Sequence, residues 1–129
     1  MEWFLRGDHP ILATLRQQLA VASIANREFT GVGFFTNFHV PNTAPRLPNH
    51  QHLVIHDVHS EVVGLELGAG YLLFVQDGVL SCLEGFIYED AWPVDAKLIR
   101  LYYLRFQEGD RGAMIETAQR DLSFLAAHE

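Results

Sequence analysis

The 129-residue chain is predicted to fold as one α+β domain over residues 1–129. The expected architecture is an antiparallel meander sheet of about five to six strands, with an N-terminal and a C-terminal helix packed on it. Three observations lead there. Tyr71 to Ile87 reads as two apolar runs around Asp77-Gly78, the strongest short-range signal for a β-hairpin. Helical spacing of apolar residues occurs only near the two ends, and the β-rich middle has short connections, which make neighbours antiparallel. Hydrophobic residues make up 49%, aromatics 12% and charged residues 19%, with a mean hydropathy of +0.06. A chain of this size buries roughly two-thirds of its unfolded surface and needs no disulfide or metal to be stable.

The elements follow in order. Asp8 or His9 caps a helix over residues 10–25, with Pro10 in the first turn, where its missing N–H costs nothing. Ile11, Leu12, Leu15 and Leu19 form its dry side, and Asn26 is the expected stop. Arg27 to Val40 reads as one strand with Gly31 and Gly33 in its interior, where a backbone passes close or the strand bulges. Pro41 to Gln51 carries three prolines and is the longest loop. His52 to Val58 and Glu61 to Leu67 are short strands, and the hairpin at Asp77-Gly78 follows. Both of its runs are apolar at odd and even positions, so both faces are expected to be covered. Tyr88 to Ala96 is a polar loop with Trp92-Pro93, and Lys97 to Phe106 is the last strand. Ile115, Ala118, Leu122 and Leu125 then line a closing helix over 113–127, with Glu116 and Arg120 as an i,i+4 pair.

Nine Lys and Arg against sixteen Asp and Glu give a net charge of −7. That balance is a poor match for phosphate backbones, so nucleic acid is not an expected partner; it suits a basic protein or serves solubility. The one cysteine, Cys82, cannot form a disulfide within the chain, and a cytoplasmic setting is the natural reading. The N-terminus lacks a signal-peptide pattern. No apolar run approaches the ~20 residues that cross a bilayer, so no membrane partner is expected.

Candidate chemistry is sparse. If residues 50–56 are extended, His50, His52 and His56 point to one side, and three imidazoles there suit zinc with an open fourth position. Asp57 or Glu84 would assist in such a site. The bland alternative is an exposed edge carrying polar rings, and no cofactor is otherwise expected. Cys82 sits mid-strand and reads as a small buried hydrophobe. Glu84 interrupts an apolar strand, so it must be paired, protonated or at an edge, with Arg100 and Arg105 as the candidate partners. Phe35, Trp92 and Tyr103 are candidates to line a ligand cavity. No dinucleotide fingerprint, phosphate loop, metalloprotease or hydrolase-elbow motif occurs.

The segment D-G-V-L-S-C-L-E-G-F-I-Y-E-D-A-W-P, through Asp77, Gly78, Leu80, Leu83, Glu84, Gly85, Phe86, Trp92 and Pro93, resembles a group of small uncharacterised bacterial single-domain proteins. They share D-G-x-[LI]-x-x-L-E-G-[FY] followed by W-P. Some proteins of this build look like immunity or partner-binding modules of toxin systems, an analogy of size and acidity.

The aromatic surplus decides the functional expectation. One antiparallel sheet with helices on one side leaves its other side bare, so sheet curvature, the long loop or a second chain must cover it. The expected function is non-catalytic: an immunity-like protein-binding module that forms a homodimer. Phe35, Glu84, Trp92, Arg100 and Tyr103 are its candidate contact residues. The alternative is a small metal-assisted hydrolase or a pocket protein built on His50, His52 and His56.

Overall fold

The computed structural model describes residues 1–89, 97–106, 114–118, 120, 122 and 125. Helix α1 runs Pro10–Val21 and starts as its sequence dictates. His9 is the cap, its Nδ1 accepting from the Ile11 N–H at 3.1 Å, and Pro10 opens the first turn. Ile11, Leu12, Leu15 and Gln18 are its buried residues. The three apolar ones each contribute about 1.5–3 kcal/mol by leaving water. The helix ends before residue 25, because Ser23 already belongs to a strand.

Eight strands follow among the described residues: β1 (Ser23–Phe29), β2 (Gly33–His39), β3 (Leu53–Ile55), β4 (Val58–Val62), β5 (Ala69–Gln76), β6 (Val79–Ile87), β7 (Leu98–Phe106) and β8 (Met114–Thr117). They form one antiparallel sheet in the order β1-β2-β6-β5-β4-β7-β8, with β3 also paired to β5. This corrects the expected meander of five to six strands. The chain leaves β2 for β3 on the far side of the central hairpin, and leaves β6 for the outer side of β4.

Two expected elements change identity. The single strand over 27–40 is a hairpin, β1–β2, with Gly31 at φ +86° in the turn. The closing helix over 113–127 is replaced at 114–117 by β8, which pairs with β7; most of its remaining length lies outside the described residues. The Glu116–Arg120 pair falls with it. Glu116 instead meets Arg100, and Arg120 meets Asp57. A ladder of backbone hydrogen bonds along β7 outweighs a helical apolar period only four residues deep.

The central hairpin forms as expected. Asp77 and Gly78 both take positive φ, +54° and +78°, as a type I′ turn demands. A Cβ on Gly78 would stand 2.9 Å from the Leu47 carbonyl oxygen. Gln18 pins the turn to α1. Its Nε2 donates to the Pro45 and Gly78 carbonyls, each at 2.9 Å, and its Oε1 accepts from the Leu80 N–H at 2.8 Å. The buried amide is thus fully bonded.

One face of the sheet carries the core. Leu73, Val75, Leu80, Val58 and Tyr103 pack there with Ile11, Leu12 and Leu15, with Phe4 and Leu5, and with Leu47 and Leu125. A smaller cluster of Val62, Leu65, Ala69 and Ile87 continues that face. A bulge shapes its middle. Ile55 pairs with Leu73 and His59 with Gly70, so four steps on one strand match three on the other. The extra residue turns Asp57 inward. Asp57 meets Arg120 through two bonds of 2.7 and 2.8 Å, and Arg120 also donates to the Phe4 and Arg6 carbonyls.

Candidate protein-binding face

The opposite side of the sheet is set by alternation. Phe34 and Thr36 face the α1 side, where they line a groove with Leu19; Phe35 therefore faces the other way. Pairing carries this across the strands. Glu28 on β1, Phe35 on β2, Glu84 on β6 and Leu72 on β5 stand in one row. Asn26, Asn37, Cys82 and Phe74 make the next row, in which the Asn37 amide donates to the Asn26 Oδ1 at 2.7 Å. A third row runs from Phe86 through Gly70 and His59 to Tyr102. No helix of the described residues packs on these rows, so the expectation that both faces of the hairpin are covered holds on the α1 side alone. Phe35, Leu72, Phe74 and Phe86 are half-buried by their neighbours.

Tight packing builds the third row. A Cβ on Gly70 would stand 2.5 Å from the Phe86 ring and 3.1 Å from His59 Nε2, so only glycine admits both. The Phe86 ring meets Tyr88 edge-on at 5.6 Å, and His59 Nε2 shares a proton with the Tyr88 hydroxyl at 3.1 Å. His59 Nδ1 is buried without a hydrogen-bond partner among the described residues. Burial first, and His56 in addition, lower the His59 pKa, against the opposing pull of Asp57. The ring is therefore held neutral.

Electrostatically the face is acidic. Arg100 is its cation among the described residues, and it is committed. It bonds Glu61 at 2.6 Å, pairs with Glu116, and lies over the Tyr102 ring at 4.7 Å. Arg100 is thus not the partner of Glu84, as the sequence suggested; the Arg105 side chain lies outside the described residues. Neither Glu28 nor Glu84 forms a salt bridge among the described residues, and they flank Phe35 on both sides. Burial, then the Glu84 carboxylate, push the Cys82 thiol above its ordinary value, which disfavours the thiolate.

The candidate contact residues thus divide. Phe35, Glu84 and Arg100 share the open face. Tyr103 lies on the other side, buried in the core, its hydroxyl donating to the Trp3 carbonyl and its ring beneath Arg120. Phe35 and Tyr103 are therefore not walls of one cavity. Trp92 lies outside the described residues. Glu28, Tyr88 and His59 belong to the face and were not evident from the sequence; Gly31 was the signal that would have placed β1 and Glu28.

The histidines also divide. His50 is not extended: it takes φ +50° after a 3-10 turn over Pro48–His50. Its Nδ1 meets an Asp77 carboxylate oxygen at 2.6 Å, and His52 Nδ1 accepts from the Asp77 N–H at 3.1 Å. Both line a groove of about 650 Å³ with Thr14 and Ile11. His56 sits at the bulge, and Asp57 is occupied by Arg120. Among the described residues no three His, Cys, Asp or Glu gather as a metal-ligand set. No described helix is long and apolar enough to cross a membrane.

No family model, curated protein or solved structure matches the chain.

Proposed function

We propose that this protein is a non-catalytic binding module whose open sheet face holds a basic protein segment. The observation that carries the reading is the row Glu28–Phe35–Glu84, in which an aromatic ring lies between two carboxylates that have no cation of their own among the described residues. Desolvating those carboxylates is costly unless the partner supplies arginine or lysine, and the flanking apolar rings favour a partner with interleaved apolar residues. An immunity-like role, in which the module covers and silences a basic protein, is its most concrete form. A cytoplasmic place of action fits the single free thiol.

The test works without an identified partner. Random peptides displayed on phage are selected against the wild-type protein. The expected winners are rich in Arg or Lys alternating with aromatic or aliphatic residues. Their binding is lost in the Glu28→Lys/Glu84→Lys variant, whose side chains lie off the core. Winners without basic bias, or binding indifferent to that variant, would refute the reading.

A second reading has one observation of its own. The groove is lined by two of the three left-handed non-glycine residues described, Asn49 and His50. Strained backbone of this kind concentrates at functional sites, which supports a small-ligand or zinc-assisted site there. Calorimetric titration with zinc on the wild type and on His50→Ala/His52→Ala decides it: no heat from the wild type ends the idea.

A further inference from the structure

We infer that β1 is the seam of a homodimer, in which it pairs antiparallel with β1 of a second copy. This inference stands on β1 alone and does not need the proposed partner. β1 is an edge of the sheet, and all seven of its residues are exposed. Its hydrogen-bonding direction follows from the turn. The Thr30 N–H bonds the Gly33 carbonyl at 2.9 Å, so that pair faces inward. Alternation then turns the Glu28 and Asn26 backbone groups toward β2 and those of Arg27 and Phe29 outward. An unsatisfied row of this kind is a template for another strand.

Apolar surface surrounds the row. Phe29 is 81% exposed at one end of β1, Ile24 is exposed near the other, and Val32 is exposed in the turn. Below it lies a groove of about 590 Å³, lined by Phe29, Phe34, Phe38, Leu19 and Leu83 among others. Charge selects the occupant. The protein carries −7 overall, so two copies repel on most approaches, and the acidic open face is the worst of them. The segment Ser23–Phe29 is the exception: it holds one cation, Arg27, and one anion, Glu28. Two copies can meet there without net repulsion.

The same charges choose the register. Pairing centred on Arg27 sets arginine against arginine, and pairing Arg27 with Phe29 of the partner subunit sets Glu28 against its own copy. Pairing centred on Phe29 avoids both, since Glu28 then faces Thr30 of the partner subunit, and because Gly31 already turns at φ +86° the backbone bonds of the seam are those of the two Phe29 residues. Antiparallel pairing of two identical edges needs a two-fold axis perpendicular to the sheet, so the assembly closes at two copies. Both open faces then look the same way.

Sedimentation and native mass spectrometry of the full chain test this. The wild type is expected at twice the 14.6 kDa of one chain, and Phe29→Asp, a change at an exposed position, at the single mass with the melting curve of the wild type at high dilution. Amide exchange supplies an independent readout. The Phe29 N–H slows as concentration rises, and the Glu28 N–H does not. A wild-type monomer at high micromolar concentration overturns the proposal. So does a dimer that survives Phe29→Asp, or one abolished by Glu84→Lys instead.

Discussion

Arg120 ties the N-terminal segment to the sheet. Its guanidinium and Asp57 are 6% and 5% exposed, and the same guanidinium holds two carbonyls of the N-terminal segment. A buried pair of this kind adds little over an apolar substitute, but breaking it strands a charge. Arg120→Met should therefore lower stability by about 3–5 kcal/mol in urea unfolding. The Asp57→Asn/Arg120→Met double variant should lose less than the two single losses combined. His59 gives a pH-dependent counterpart. Its folded pKa lies below the ordinary 6.5 because burial disfavours the cation. Between 6.5 and the folded value the unfolded chain binds more protons, so stability falls as pH drops through that window and is untouched above it. His59→Gln should flatten this acid arm, measured as the difference between melting temperatures at neutral pH and at pH just below the window. An equal acid loss in both proteins would show that the imidazole is not held neutral.

At the scale of elements, α1 and the central hairpin are joined by one amide. Gln18 bridges them with three hydrogen bonds, and Leu would fill its volume without replacing any. The Gly78 carbonyl keeps a second donor, the Leu47 N–H, so the stranded groups are the Pro45 carbonyl and the Leu80 N–H. Each costs about 1–3 kcal/mol, and Gln18→Leu should lose about 2 kcal/mol or more, read as a lower urea midpoint at unchanged slope. The hairpin itself was legible because Asp-Gly chemistry is local: both residues must take positive φ, and few others do so cheaply. The buried face of α1 was legible for the same reason. The β1–β2 hairpin was not, although Gly31 marks its turn, because Ser23–Phe29 has no alternation of its own. β8 was hidden by a helical period that its partner β7 overrules.

For the whole molecule, the governing imbalance is one dry face and one open one. α1, the N-terminal segment and the long loop all lie on the same side of the sheet. The aromatic surplus seen in the sequence is real, and part of it faces away from them. Charge then decides which surface does what. The open face is acidic, and the β1 segment as a whole carries one charge of each sign. If both proposals hold, the peptide selected on the open face should bind more weakly as salt rises, since its attraction is Coulombic and exposed. The dimer, held by backbone bonds and apolar contact, should be insensitive or slightly strengthened. Affinity by fluorescence anisotropy and mass by sedimentation, each across a salt series, separate the two. A dimer that dissociates with salt would place its seam on charged residues and not on β1.

The sequence alone determined the antiparallel α+β class, the start and dry side of α1, the Asp77-Gly78 turn and the excess of apolar β-surface. Each of these depends on residues a few positions apart, whose conformational preferences act locally. Only the tertiary structure decided strand order, the β1 edge, the Asp57–Arg120 pair and the separation of Phe35 from Tyr103. Those depend on which distant backbones share hydrogen bonds, and a shift of one residue in that register sends every side chain to the opposite face.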